Sequence, residues 1–125
     1  MKLIPLLASV VLFSSCAALQ PPSRGRVDHV VLVWLKKPGN ETDKQALRSA
    51  GDELRSIPGV RFIDHGTALA SDRPVVDDSF DVGFVMGFDS EKDLQAYEAH
   101  PLHQKKVKEV LGPLSRKIVV YDIVR

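Results

Sequence analysis

The chain has one cysteine, one tryptophan, four histidines and no apolar stretch longer than the eleven residues LIPLLASVVLF near its start. Each scarcity excludes something. A lone cysteine, Cys16, cannot close an internal disulfide, so an exported domain of this sequence must hold together by packing. Eleven apolar residues are about half of what a membrane-spanning helix needs. Lysine and arginine number 17 against 16 acids, with no basic run, which argues against nucleic acid as a partner. There is no Gly-rich phosphate loop, dinucleotide fingerprint or Ser-His-Asp pattern. No cofactor is implied. A length of 125 residues suits one small domain.

The start of the chain does not read as part of the fold. Lys2 precedes the apolar stretch, and Ser14 and Ser15 precede Cys16. A short basic start, an apolar core of this length and small residues describe a secretory signal. Small residues directly before a cysteine resemble a bacterial lipobox, in which the cysteine is lipidated and becomes the first residue of the mature protein. Phe13 departs from that pattern, which usually has a smaller aliphatic residue there. Residues 1–15 are thus expected to be a signal peptide and Cys16 a lipidation site, giving an envelope protein with a lipid anchor to a membrane. Ordinary cleavage near Ala18, giving a soluble secreted or periplasmic protein, is the competing reading. Residues 16–26, containing QPPSRGR, read as a flexible tether, and residues 27–125 as the folded domain.

Within the domain, the Val-rich HVVLVWL (29–35) fits a strand buried on both faces. Thr42 and Gln45 form a capping box, and Leu47, Ala50, Leu54 and Ile57 recur at helical spacing until Pro58-Gly59. Residues 60–69 read as a second strand. A ten-residue loop, ASDRPVVDDS, leads to FDVGFVMGF (80–88), where Phe80, Val82, Phe84, Met86 and Phe88 share one side. Ser90 and Asp93 cap a helix from about Glu91 to Ala99. Pro101 opens another helical stretch, ended by Gly112-Pro113 after Leu111, and RKIVVYDIV (116–124) closes the chain as a strand. The order β-α-β-β-α-β predicts an α+β ferredoxin-like sandwich with helices on one face. Strands one and four are apolar on both faces, however. At ~25 cal/mol per Å² a second apolar face is costly to leave in water, and the simplest cover is a second copy of the same sheet.

These residues resemble the stress-responsive A/B barrel, or Dabb, family. The shared marks are His29 opening strand one, Pro58-Gly59, Phe88 closing strand three, DLQAYEAHPLH (93–103) and a last strand containing VVYDI. The resemblance covers residues 27–124 and implies a homodimeric α+β barrel. It also implies a range of activities. Some members are plant polyketide cyclases performing an aldol condensation, with a histidine equivalent to His103 as base and a tyrosine equivalent to Tyr97 assisting. A further histidine those cyclases carry in strand three aligns here with Val82.

The candidate site is YEAHPLHQ (97–104). Proline suits the first helical position and pushes the preceding residue out of the α region, so His100 falls at a helix junction. His103 then lies in the first turn of the next helix, where the positive helix end disfavours imidazolium and leaves a neutral base. Tyr97, one turn before His100, can present its hydroxyl at the same mouth. His103 and Tyr97 are the candidate catalytic pair, and His29 and His100 the candidate ligand-binding residues. His65 is expected at the surface and Trp34 in the core. Pro101 breaks the helical geometry that would let His100 and His103 share an ion, so no metal site is expected. The function expected is small apolar ligand binding by an anchored homodimer. The alternative is a cofactor-free lyase or cyclase with His103 as general base.

Overall fold

The computed structural model describes residues 25–125. Residues 1–15, expected as a signal peptide, Cys16, and residues 17–24 of the expected tether lie outside them. The elements are β1 (Val27–Leu35), α1 (Glu41–Leu54), β2 (Val60–Gly66), β3 (Val82–Phe88), α2 (Glu91–Ala99), α3 (Pro101–Lys106), a π-helical turn (Val107–Leu111), α4 (Gly112–Leu114) and β4 (Ser115–Val124). The four strands form one antiparallel sheet in the order β2-β3-β1-β4. This is the ferredoxin-like arrangement: β3 enters between the parallel pair β1 and β2, and β4 flanks β1. Among the described residues no helix is long and apolar enough to cross a membrane.

Local chemistry explains the boundaries. The first helix is capped before the Thr42 box. Asn40 has extended backbone angles and its Oδ1 accepts from the Asp43 N–H at 2.9 Å. Asn is as good an N-cap as Thr or better, and Thr42 then lies inside the helix. Ser90 caps α2 as expected, accepting from the Asp93 N–H at 3.1 Å. Gly59 has φ +90°, which a side chain would strain, and turns the chain from α1 into β2. Gly112 does not end the third helical segment. Its N–H reaches back to the Val107 carbonyl, and a further turn carries the helix to Leu114. Strand β2 stops at Gly66 and β3 starts only at Val82, so the loop between them is longer than the sequence pattern implies.

The sheet has two unlike faces. Odd residues of β1 (Val27, His29, Val31, Val33) and even residues of β3 (Val82, Phe84, Met86, Phe88) point toward the helices and are buried. Leu47, Ala50, Leu54, Ile57, Leu94 and Tyr97 close over them from α1, α2 and the turn after α1. On the opposite face Val30 and Leu32 are half-buried, while Val85, Tyr121 and Ile123 are 42%, 55% and 52% exposed. Trp34 also belongs to that face, yet is only 4% exposed. The long loop covers it, with the indole Nε1–H donating to Ser79 Oγ at 2.9 Å and Phe80 meeting the ring edge-on, and Lys117 of the neighbouring strand β4 places its Nζ 4.3 Å from the ring centre. Phe80 precedes β3 and does not continue that strand's core side. Asp81 is nearly buried at the root of the same loop. Its carboxylate accepts from the Leu35 N–H at 2.8 Å and the Gly39 N–H at 2.7 Å, fixing the turn from β1 into α1. The ends of the described chain meet at the β1–β4 edge, where the Arg125 N–H donates to the Arg26 carbonyl at 2.8 Å and its guanidinium pairs with Asp28.

Candidate functional site

Between the helix side of the sheet and the α1 and α3 walls lies a recess of about 470 Å³ of empty space, its open mouth included. Val31, Phe84 and Met86 form its floor, Leu47, Gly51 and Leu54 one wall, and Lys106, Val107 and Leu111 the other. The floor follows from strand alternation and the first wall from the helical repeat of α1. Gly51 is required there by close approach, because a Cβ would lie 2.6 Å from Cε1 of Phe84. The second wall is the π-helical turn and the residue before it. Such turns recur at functional sites, since the extra residue re-aims neighbouring side chains.

Three of the four candidate residues from the sequence converge on this recess: His29, Tyr97 and His103. The Tyr97 and His103 rings are 4.5 Å apart, and the Tyr97 and His29 rings 6.3 Å. The pairing of β1 with β4 puts Asp122 opposite His29, and His29 Nδ1 lies 2.5 Å from Asp122 Oδ1. A carboxylate only accepts, so the proton is on Nδ1 and Nε2 is the free nitrogen. His103 is held similarly. Its Nδ1–H donates to the Glu98 carbonyl at 3.0 Å, which again leaves Nε2 as a bare lone pair. Burial lowers the His103 pKa below the usual imidazole range. The Glu98 carbonyl and carboxylate pull the other way, and nearby His29 adds to the lowering. Burial and tautomer together favour a neutral base near pH 7.

Tyr97 is 1% exposed and its hydroxyl donates to Met86 Sδ at 3.4 Å. Burial, with a smaller contribution from Glu98, pushes the phenol well above its ordinary pKa, so it remains protonated. The hydroxyl is weakly engaged, and the ring that carries it lies near both imidazoles. His100 does not line the recess. Its Nδ1 accepts from the Leu102 N–H at 3.1 Å, so the ring caps α3 while the residue terminates α2. His65 lies within β2, half-buried, with Nε2 3.1 Å from Asp52 Oδ1 and its ring edge-on to Phe84. Cys16 lies outside the described residues.

The model of the Stress responsive A/B Barrel Domain matches residues 27–125. The chain belongs to that family. Solved structures agree with this Dabb fold. A dabb family protein with a ferredoxin-like fold from Mesorhizobium loti superposes with a TM-score of 0.67 at 27% identity, over 82% of this chain and 98% of its own. A dimeric ferredoxin-like protein of unknown function from Bacteroides fragilis gives 0.65 at 21%, over 82% and 98%. The hydroxynitrile lyase of Passiflora edulis gives 0.68 at 22%, over 82% and 94%. No curated protein sequence matches the chain.

Two participants in this Dabb site were not singled out by sequence reasoning. Asp122 was legible as an acid on the otherwise apolar face of strand four, with Ile118 and Val120, but its partner depends on strand register. Lys106 was one of several lysines in a polar helix, and nothing in its spacing separates it from Lys105 or Lys108. Its stem lines the recess and its ammonium lies 2.6 Å from Glu53 Oε2, joining α3 to α1 at the mouth. Among the described residues no group of three or more His, Cys, Asp or Glu side chains is placed to hold a metal ion.

Proposed function

We propose that this Dabb protein is an exported, lipid-anchored homodimer that binds a small apolar ligand in the recess. The observation that carries the reading is the recess itself. A mostly apolar concavity with a few convergent polar groups is what a small-ligand site requires. The dimer is supported by the apolar outer face of the sheet, with Val85, Tyr121 and Ile123 open to water, and by the dimeric description of the Bacteroides fragilis neighbour. Anchoring through Cys16 rests on the sequence of the first sixteen residues. Indole serves as a neutral apolar probe: millimolar indole should raise the melting temperature of the full chain. Val107→Trp, at a half-exposed position on the recess rim, should fill the space and abolish that rise while leaving the melt of the unliganded protein nearly unchanged. No stabilisation of the wild-type chain, or equal stabilisation of the variant, would refute the site.

A second reading is favoured by one geometric fact. The His103 tautomer is pinned by the Glu98 carbonyl, which readies Nε2 for proton abstraction. In this reading the protein is a cofactor-free lyase, as the Passiflora edulis neighbour is a hydroxynitrile lyase. Nε2 takes the hydroxyl proton of a hydroxynitrile, the carbon–carbon bond to the nitrile breaks to leave a carbonyl, and departing cyanide takes the proton back as hydrogen cyanide. Cyanide release from mandelonitrile, lost in His103→Ala, tests it. Release at the uncatalysed rate by the wild type excludes it for that substrate.

A further inference from the structure

Among the lining residues described, Lys106 is the one with a fixed charge, whereas His29 and His103 have Nδ1 engaged by Asp122 and by the Glu98 carbonyl. No Asp or Glu is among the lining residues described. The Lys106 stem is held in the wall, with its side chain 17% exposed, whereas its partner Glu53 is 56% exposed. An ion pair of that kind is worth little, because the exposed acid is readily solvated when it leaves. Lys106 is therefore fixed and Glu53 exchangeable. The floor beneath, formed by Val31, Phe84 and Met86, accepts only apolar groups. We propose that the recess selects small carboxylic acids in their anionic form, with the carboxylate displacing Glu53 from Lys106 and the apolar body against the sheet floor. This rests on the recess being the ligand site and narrows its ligand class from apolar to amphipathic and monoanionic.

Phenylacetate and phenylacetamide test the idea, because they share shape and differ in charge. Calorimetric titration of the full chain at pH 7 should show phenylacetate binding at least about tenfold more tightly, as expected for one additional charge-assisted hydrogen bond. Lys106→Met keeps the stem and its packing, and should erase that preference without weakening phenylacetamide. Glu53→Gln removes the competing carboxylate from an exposed position, and should tighten phenylacetate alone. Equal affinities for the two compounds in the wild type, or a preference that survives Lys106→Met, would overturn the inference while leaving the recess as a neutral ligand site. If indole and both compounds fail to bind, the recess reading and the inference fall together.

Discussion

Replacing Tyr97 with phenylalanine separates what the ring contributes from what the hydroxyl contributes. The ring is 1% exposed and packs against Phe88 at 5.1 Å and His103 at 4.5 Å between ring centres. The hydroxyl has one partner, the Met86 thioether at 3.4 Å. Sulfur of this type is a weak acceptor, so the contact falls below the ~1 kcal/mol net value of an ordinary hydrogen bond. Removing the hydroxyl also removes the cost of keeping a polar group out of water. The two nearly cancel, and Tyr97→Phe should change stability by no more than about 0.5 kcal/mol, or roughly 2–4 °C in melting temperature for a domain of this size. Tyr97→Ala removes the ring as well and should cost about 3–5 kcal/mol, the range for deleting a buried aromatic. Urea and thermal unfolding at one fixed protein concentration measure both, since the proposed self-association would make the melting temperature depend on concentration. A loss above about 1.5 kcal/mol in Tyr97→Phe would mean that the hydroxyl has a stronger partner than Met86 and would overturn this assignment.

Further outcomes follow from other contacts. Asp81→Ala leaves the Leu35 and Gly39 N–H groups without their acceptor and should cost about 3 kcal/mol by urea denaturation, with Asp81→Asn losing less because one oxygen remains. Gly51→Ala should shift Phe84 and cost about 1–2 kcal/mol despite alanine's better helix propensity, and indole binding should weaken with it. The folded pKa of His103 is depressed, so below the ordinary imidazole value of about 6.5 the unfolded chain binds the extra proton first. Its contribution to stability is intact above that value and is lost as pH falls through the folded pKa. His103→Gln should flatten this part of the stability–pH curve, measured against the wild type. Charges on the outer sheet face, as in Leu32→Asp or Val85→Lys, should convert a sedimenting dimer to monomer, whereas Val31→Asp and Val33→Asp should unfold the chain because both side chains belong to its own core.

The parity of β1 shows where sequence reading stops. Alternation in β3 was visible because glycines mark its outer side, and the ferredoxin-like order followed from element types alone. Strand β1 is apolar at every position from Val30 to Leu35, so period two carries no signal there. Only pairing with β3 decides that Val31 and Val33 face the helices. The cap at Asn40 was hidden by an equally plausible box just after it. Phe80 fits the apolar alternation of β3, but the loop lays it against Trp34 on the other face. The proline pointed to His100 and His103, and the family resemblance pointed to His103 and Tyr97. Even so, the same proline that drew attention to His100 makes its ring a cap, with Nδ1 turned to the Leu102 N–H. The partnerships His29–Asp122 and Lys106–Glu53 join residues far apart in sequence, and register and helix docking alone bring them together.

The meeting of Arg125 with Arg26 and Asp28 gives the domain the topology of a ring. A short linker from Arg125 to Gly25 would bridge a gap already spanned by a hydrogen bond, so the order of elements could be rotated without moving any strand. New ends are best opened near Val75, which is 90% exposed, and away from Ser79 and Asp81, whose contacts hold Trp34 and the β1–α1 turn. Such a permuted chain would begin with β3 and end with β2, strands that are adjacent in the sheet. Because β1 and β3 lie side by side and antiparallel, its new N-terminus would leave the domain from the opposite end of the central strands, so an N-terminal fusion would hold the same recess the other way round.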